Sequence, residues 1–298
     1  MSKIKIISMS SNGLENSPQR YNELGIDVIR VHFSFKGKDY LEGFDLDPVD
    51  FYNQLEVLEN PKKNLPKTSM PSQLEIAAHF DKAIEDGYDE AIVFTISSAL
   101  SGMYNSISAV AKDYEGKLKI HVVDTKVASF AEAMHAIRGA EMANAGMSAE
   151  EIIKETEWAI KHQEFYGVDG KLDYLIYNGR LKGAKAFMGK MLSICPVLRF
   201  METGELVAIE SVRTQKKALA RMCENIKANI GDRDPKDYIL YHIHTGPSLL
   251  NLLKEIEKKY GIETNHEDVI MSPSSGCHNG PWLAGYGLYC LRRNDEEL

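Results

Sequence analysis

The chain has 298 residues, 44% of them hydrophobic and 26% charged, with a formal net charge of −8; this is ordinary for a globular protein and longer than the usual single domain. The acidic balance and the acidic end "NDEEL" exclude a broadly basic nucleic-acid-binding surface, because each phosphate contact needs a cation. No apolar run approaches the roughly 20 residues of a membrane span, and "MSKIKIISMSSNG" lacks the long apolar segment of a secretory signal, so a cytoplasmic protein of two domains is expected.

In chain order, "KIKIIS" reads as a short apolar strand and "IDVIRVHFSF" as one half-buried, alternating strand. "KTSMPSQ" follows. There Ser72 and Glu75 have capping-box spacing beside Pro71, and Ile76, Phe80 and Ile84 recur every fourth residue as a core-facing stripe. "YDEAIVFTIS" and "LKIHVVDT" carry short apolar runs that end in polar residues, the pattern of a parallel sheet covered on both faces. After Asp124 a helix offers Phe130, Met134 and Ile137 on one face. This alternation predicts an α/β domain over residues 1–165 with a largely parallel sheet and a ligand outside the carboxyl ends of its strands. "ISSALSG" comes directly off the strand "AIVFT" and belongs on that edge.

"MSAEEIIKETEWAIKHQEF" reads as a helix leading to a second α/β domain over residues 166–298. That half holds "LDYLIYNG", an apolar helix "AKAFMGKMLSI", and two strands around a Thr-Gly turn in "PVLRFMETGELVAIESV". A charged helix from near Thr214, the strand "DYILYHIHTG", a helix from Pro247 and a last strand "LAGYGLYCLRR" complete it.

The chemistry-bearing candidates are few. Cys195, Cys223, Cys277 and Cys290 are widely spaced without a C-x-x-C pair, which reads as reduced, mostly buried thiols. The serines of "SSALSG" do not form a G-x-S-x-G elbow, so helix capping competes with nucleophilic catalysis there. No phosphate-binding loop is present, so no nucleotide or other cofactor is expected; hydroxyls and free helix N–H groups would still accept an anion. His242 and His244 share one side of a strand and His278 could join them, but without a carboxylate at fixed spacing no metal is assigned. In "SGCHNGPW", His278 sits in a glycine-rich loop that could press an imidazole against a bound group or simply form a turn. "YNGRLKGAKAFMGK" mixes Arg180, Lys182, Lys185 and Lys190 with Leu181, Phe187 and Met188, either a solvated helix face or a docking surface.

Six stretches together, "KTSMPS", "ISSALSGMY", "VVDTKVAS", "NGRLKGAKAFMGKMLSICPVLRF", "GELVAIESVRTQKKAL" and "HNGP", resemble the DegV family of bacterial fatty-acid-binding proteins, the lipid-carrying subunits of fatty acid kinase. The resemblance implies two α/β domains with an acyl chain buried in a tunnel and a headgroup site near the domain junction. By position it implies Thr68 and Ser101 as carboxylate ligands with His278 close to the headgroup, and Ser69 and Ser98 beside them. Arg180 falls at the family's Gly-Arg position, which implies partner contact or a local structural role; with Lys182 of the same basic stretch it is assigned to contact with a separate acyl kinase, and the chain itself would catalyse nothing while feeding phospholipid synthesis. Transient membrane contact is left open. The sequence departs from the family in "SMSSNG" after the first strand, in Asn178 before Gly179-Arg180, and in Trp282 after "HNGP". A serine-dependent lipid hydrolase and an anion-binding regulatory protein are the rival readings.

Overall fold

The short apolar runs of the first half become a parallel sheet. The computed structural model describes residues 2–17, 23–183, 194–293 and 296–297. Its first half contains strands β1 (Ile4–Met9), β2 (Asp27–Ile29), β3 (His32–Phe35), β4 (Lys38–Leu41), β5 (Lys67–Ser69), β6 (Glu90–Thr95) and β7 (Lys119–Asp124). Four of them form a parallel sheet of order β2-β1-β6-β7. Alternate residues serve its two faces: Ile7, Met9, Ala91 and Val93 join the apolar cluster with the helices Gln73–Glu85 and Met103–Ala111, while Ile6, Ile92 and Phe94 face the helix Phe130–Asn144.

"IDVIRVHFSF" is not one strand. Asp27–Ile29 pairs with β1, whereas His32–Phe35 leaves for a separate antiparallel sheet of order β4-β3-β5. Arg30 marks the break, where its guanidinium reaches both carboxylate oxygens of Glu15 and the carbonyl of Glu42. The alternation of buried residues slips by one at Val28-Ile29, both of them buried, and resumes at Val31, Phe33 and Phe35; this phase slip is a local trace of the break that the one-strand reading passed over.

The second half contributes β8 (Glu164–Asp169), β9 (Cys195–Phe200), β10 (Leu206–Val212), β11 (Tyr238–His244), β12 (Val269–Ile270) and β13 (Leu283–Cys290), in a six-stranded sheet of order β10-β9-β8-β13-β11-β12. The helices Gln215–Ile230 and Pro247–Glu257 pack on one face of it, and the helix Phe130–Asn144 touches β13 from the other side. That helix is therefore sandwiched between the two large sheets. Small side chains let both sheets close on such a helix, and Ala131, Ala133, Ala136, Gly139 and Ala140 supply them, with Glu132 and His135 as its buried polar exceptions. At Gly139 an added Cβ would lie 2.8 Å from the Phe94 ring, so close approach of helix and sheet needs glycine there. One continuous apolar cluster runs through both halves, and residue 165 lies just inside β8. The apolar helix expected from "AKAFMGKMLSI" lies, apart from Ile194, outside the described residues, as do Lys185, Phe187, Met188 and Lys190.

Candidate functional site

The polar ends of the parallel strands open onto a cavity of about 570 Å³, within the roughly 300–1,000 Å³ of small-molecule sites. Ser11 beyond β1, the turn Ile96–Gly102 beyond β6, and Ala128 and Ser129 beyond β7 form one wall. The opposite wall is the apolar face of the second sheet: Phe165, Leu198, Phe200, Leu206 and Leu283. Period-two pairing puts these residues together, with Phe200 opposite Leu206 and Leu198 opposite Gly167. The cavity thus lies where the two large sheets meet, at the carboxyl edge expected from the strand order.

At one side of the cavity lies a polar group. Thr68 sits on β5 opposite Phe33, and its Oγ1 is 2.9 Å from His278 Nε2. His278 does not lie in a loop, as the glycines around it suggested. Residues Pro273–Asn279 form a helix, with Ser272 Oγ accepting the Ser275 N–H at 3.3 Å, Pro273 in the first turn and Gly280 closing the end at φ 71°. The Ser-Pro start signal was present in the sequence, and "SGCHNG" masked it. Burial, followed by the nearby Arg180 charge, pushes the His278 imidazole down to about 4, so it is neutral near pH 7. Its Nδ1 is buried and finds no hydrogen-bond partner among the described residues.

Ser101 lines the cavity, and its Oγ accepts the Met103 N–H at 3.3 Å, holding the start of the helix Met103–Ala111. Ser98 lines it too. Its N–H reaches Asp124 Oδ1 at 3.1 Å, and Asp124 is paired in turn with Lys126 Nζ at 2.6 Å. Ser69 is an exposed rim residue of the same cavity. Between them Ser97 holds the turn in shape. Its hydroxyl donates to the Gly204 carbonyl at 2.7 Å and accepts from the Ala99 N–H, pinning the turn to the β9–β10 hairpin.

Arg180 and Lys182 part company. Lys182 is exposed and pairs with Glu205 at 2.7 Å. Arg180 is half-buried and lines the cavity beside His278. Its Nη1 donates to the Asn178 carbonyl at 2.6 Å, while Asn178 Nδ2 donates to the Cys277 carbonyl at 2.8 Å, tying this turn to the His278 helix. No carboxylate among the described residues pairs with Arg180. Placement in the cavity wall was missed because the basic stretch reads as surface. Ser11, Ser129, Ser274, Ser275 and Asn279 were also missed; Ser11 and Ser129 each had a signal in lying just beyond a parallel strand, and Ser275 and Asn279 in flanking His278 within "SGCHNGPW".

The histidine trio does not assemble. His242 Nδ1 lies 2.7 Å from Asp268 and Nε2 2.8 Å from Glu257, so carboxylates take both ring nitrogens, and no cluster arranged to hold a metal ion occurs among the described residues. Trp282 stands under Lys171 and lines a separate cavity of about 150 Å³, while the adjacent Leu283 borders both. Cys195, Cys223, Cys277 and Cys290 are free, and the last three are buried. No helix among the described residues is long and apolar enough to cross a membrane.

Fold and site together define an α/β binding protein, with one largely apolar cavity between two sheets and a cluster of hydroxyls, a neutral imidazole and a guanidinium at its polar side. Residues 3–290 match the family model described as "Uncharacterised protein, DegV family", and the chain belongs to the DegV family. It is 32% identical over 277 residues to a protein of Thermotoga maritima named "Fatty acid-binding protein", covering 85% of this chain and 94% of that one. Among solved structures, a fatty acid binding DegV family protein from Streptococcus agalactiae superposes with a TM-score of 0.87 at 27% identity, covering 98% of this chain and 100% of that one. A stearic acid-binding protein from Eubacterium ventriosum gives 0.83 at 26% identity, with 97% and 98% covered.

Proposed function

We propose that this chain, as two α/β domains over residues 1–165 and 166–298, is a cytoplasmic carrier that holds a long-chain fatty acid and presents its carboxylate to a separate ATP-dependent acyl kinase, feeding phospholipid synthesis. The observation that carries the reading is the half-buried Arg180, without a carboxylate partner among the described residues, in the wall of a mainly apolar cavity. A cation there favours an anion, and the apolar remainder favours a hydrocarbon tail; each buried methylene contributes ~0.8 kcal/mol, so a sixteen-carbon chain gains roughly 10 kcal/mol before the costs of binding. Thr68 and Ser101 donate hydrogen bonds to the carboxylate, and Ser98 and Ser69 line its approach. With His278 neutral, an Nε2–H donated to Thr68 leaves the Thr68 proton free to point at the ligand.

The relatives' fatty-acid binding supports this reading. A hydrolase is less well served: a general-base histidine needs a partner that orients its second nitrogen, and His278 Nδ1 has none among the described residues. Neutral donors that grip a carboxylate leave one oxygen able to receive a phosphoryl group. Exposed Lys182 is assigned to the kinase-facing surface. Loaded protein with a cognate acyl kinase and labelled Mg-ATP should yield acyl phosphate, and the protein alone should yield none. ATP consumption by the isolated chain, or turnover of a p-nitrophenyl ester, would overturn the carrier role.

A further inference from the structure

The helix that carries His278 is held at both ends by one small sheet. At its end, His278 meets Thr68 of β5. At its start, Glu42, the residue after β4, takes the Ser274 N–H on Oε1 at 2.6 Å and the Ser274 hydroxyl on Oε2. Ser10, beyond β1, donates to the same Oε2 at 3.2 Å and accepts the Val31 N–H at 3.0 Å. Ser272 and Ser275 both donate to the Ser11 carbonyl at 2.8 Å. The Glu42 carboxylate is therefore the acceptor on which the helix start, the end of β1 and the β4-β3-β5 sheet converge, and Glu42 is only 2% exposed.

We propose that Glu42 is a positioning residue for the headgroup site: by clamping the first turn of the helix Pro273–Asn279 it sets where His278 meets Thr68 at the other end. The proposal rests on the fatty-acid-carrier reading above. A seven-residue helix is a short rigid rod of about 10 Å, so a shift at its first turn is carried to its last. As a carboxylate, Glu42 accepts from every donor around it. Once protonated, one oxygen becomes a donor, and a serine must turn away or let go.

The surroundings favour such a change close to neutrality. Burial pushes the Glu42 carboxyl up to about 7, against the downward pull of its Ser274, Ser10 and Ser272 hydrogen bonds. The other titratable and charged groups facing it are Glu132 on the central helix, Tyr52 on the helix Pro48–Glu56, Cys277 on the clamped helix, and Arg30, which holds the Glu42 carbonyl and is paired with Glu15. Burial pushes Glu132, Tyr52 and Cys277 upwards, towards their uncharged forms. His278, held to about 4, does not itself titrate in that range.

The test compares palmitate affinity of wild type, Glu42→Gln and Glu42→Asp between about pH 6 and about pH 8.5, so that the ligand's own titration cancels in the ratio. Glu42→Gln should bind about threefold or more weakly at the alkaline end, the worth of one lost hydrogen bond, with the ratio approaching one at the acid end. Glu42→Asp should recover part of the loss. A ratio independent of pH overturns the proposal, whereas absence of palmitate binding by wild type overturns the carrier reading instead. Should Glu42→Gln not fold, the decision passes to the His278 ring nitrogen shifts of wild type. A step centred near pH 7 upholds the clamp, and a flat profile removes it.

Discussion

Thr68 Oγ1 lies 2.9 Å from His278 Nε2, joining an edge strand of the small sheet to a helix 210 positions later in the chain. Thr68→Val keeps the side-chain shape and deletes that contact. It leaves a largely buried ring nitrogen unpaired, which costs about 1–3 kcal/mol of stability. Fatty-acid affinity should fall about tenfold, since a hydrogen bond to a charged group contributes ~1.5–3 kcal/mol. Titration calorimetry and a denaturant melt read the two effects separately.

Ser101, proposed above as a carboxylate ligand, also holds a helix start, because its Oγ accepts the Met103 N–H. Ser101→Ala should lose ~0.5–1.5 kcal/mol of stability, the worth of one hydrogen bond, and about tenfold in affinity. Ser97→Ala is the contrast: it cuts the bond to the Gly204 carbonyl and should lower stability more than affinity. Unchanged affinity in Thr68→Val, Ser101→Ala and the double variant would reduce both hydroxyls to structural roles.

Charge reversal separates Arg180 from Lys182. If Arg180 faces the carboxylate as proposed, Arg180→Glu sets a second negative charge against it and should weaken fatty-acid binding by about tenfold or more, the loss of a charged hydrogen bond plus repulsion. Lys182→Glu, at an exposed residue paired with Glu205, should leave fatty-acid affinity unchanged and slow only the reaction with the kinase, as rim charges do. Equal fatty-acid affinity for both variants would take Arg180 out of the headgroup site.

Two buried groups of opposite type shape stability against pH. His135 is pushed down to about 4 by burial, partly offset by its bond to Gln163. The unfolded chain takes up this proton below about 6.5 and the folded chain does not, so stability is lost as pH falls towards 4. Glu132 is pushed well above its ordinary 4.5, also by burial. The folded chain keeps that proton, so the contribution is full below about 4.5 and is lost as pH rises. Melting temperatures between about pH 5 and about pH 8.5 should therefore show Glu132→Gln gaining on wild type as pH rises and His135→Gln gaining as it falls. Parallel profiles for all three proteins would contradict both assignments.

Much of this was legible where a residue's local pattern decides its place. The runs in "KIKIIS" and "YDEAIVFTIS" become the two central strands, covered on both faces, "LKIHVVDT" becomes a half-buried edge strand beside them, and the Ser72–Glu75 capping box forms as its spacing requires. The serines off β6 sit at the strand edge that the parallel order demands. What stayed hidden depends on distant pairing. Asp27–Ile29 and His32–Phe35 meet different strands, and the local trace of this is a one-residue slip of the alternation at Val28-Ile29, which names no partner strand. The helix Phe130–Asn144 reads as one apolar stripe, yet two sheets cover it, and its alanines reveal this only once both are in place. Arg180 reads as one cation among several until the Asn178–Cys277 bond turns it inward.

The central claim is that the cavity holds a fatty acid. A largely apolar cavity of about 570 Å³ is stabilised by a hydrocarbon occupant, so recombinant protein should carry fatty acid from its host through purification. Denaturation, solvent extraction and mass spectrometry of the released lipid should find long-chain fatty acid in near-stoichiometric amount. Well-folded protein that yields no lipid and does not bind added fatty acid would contradict the account.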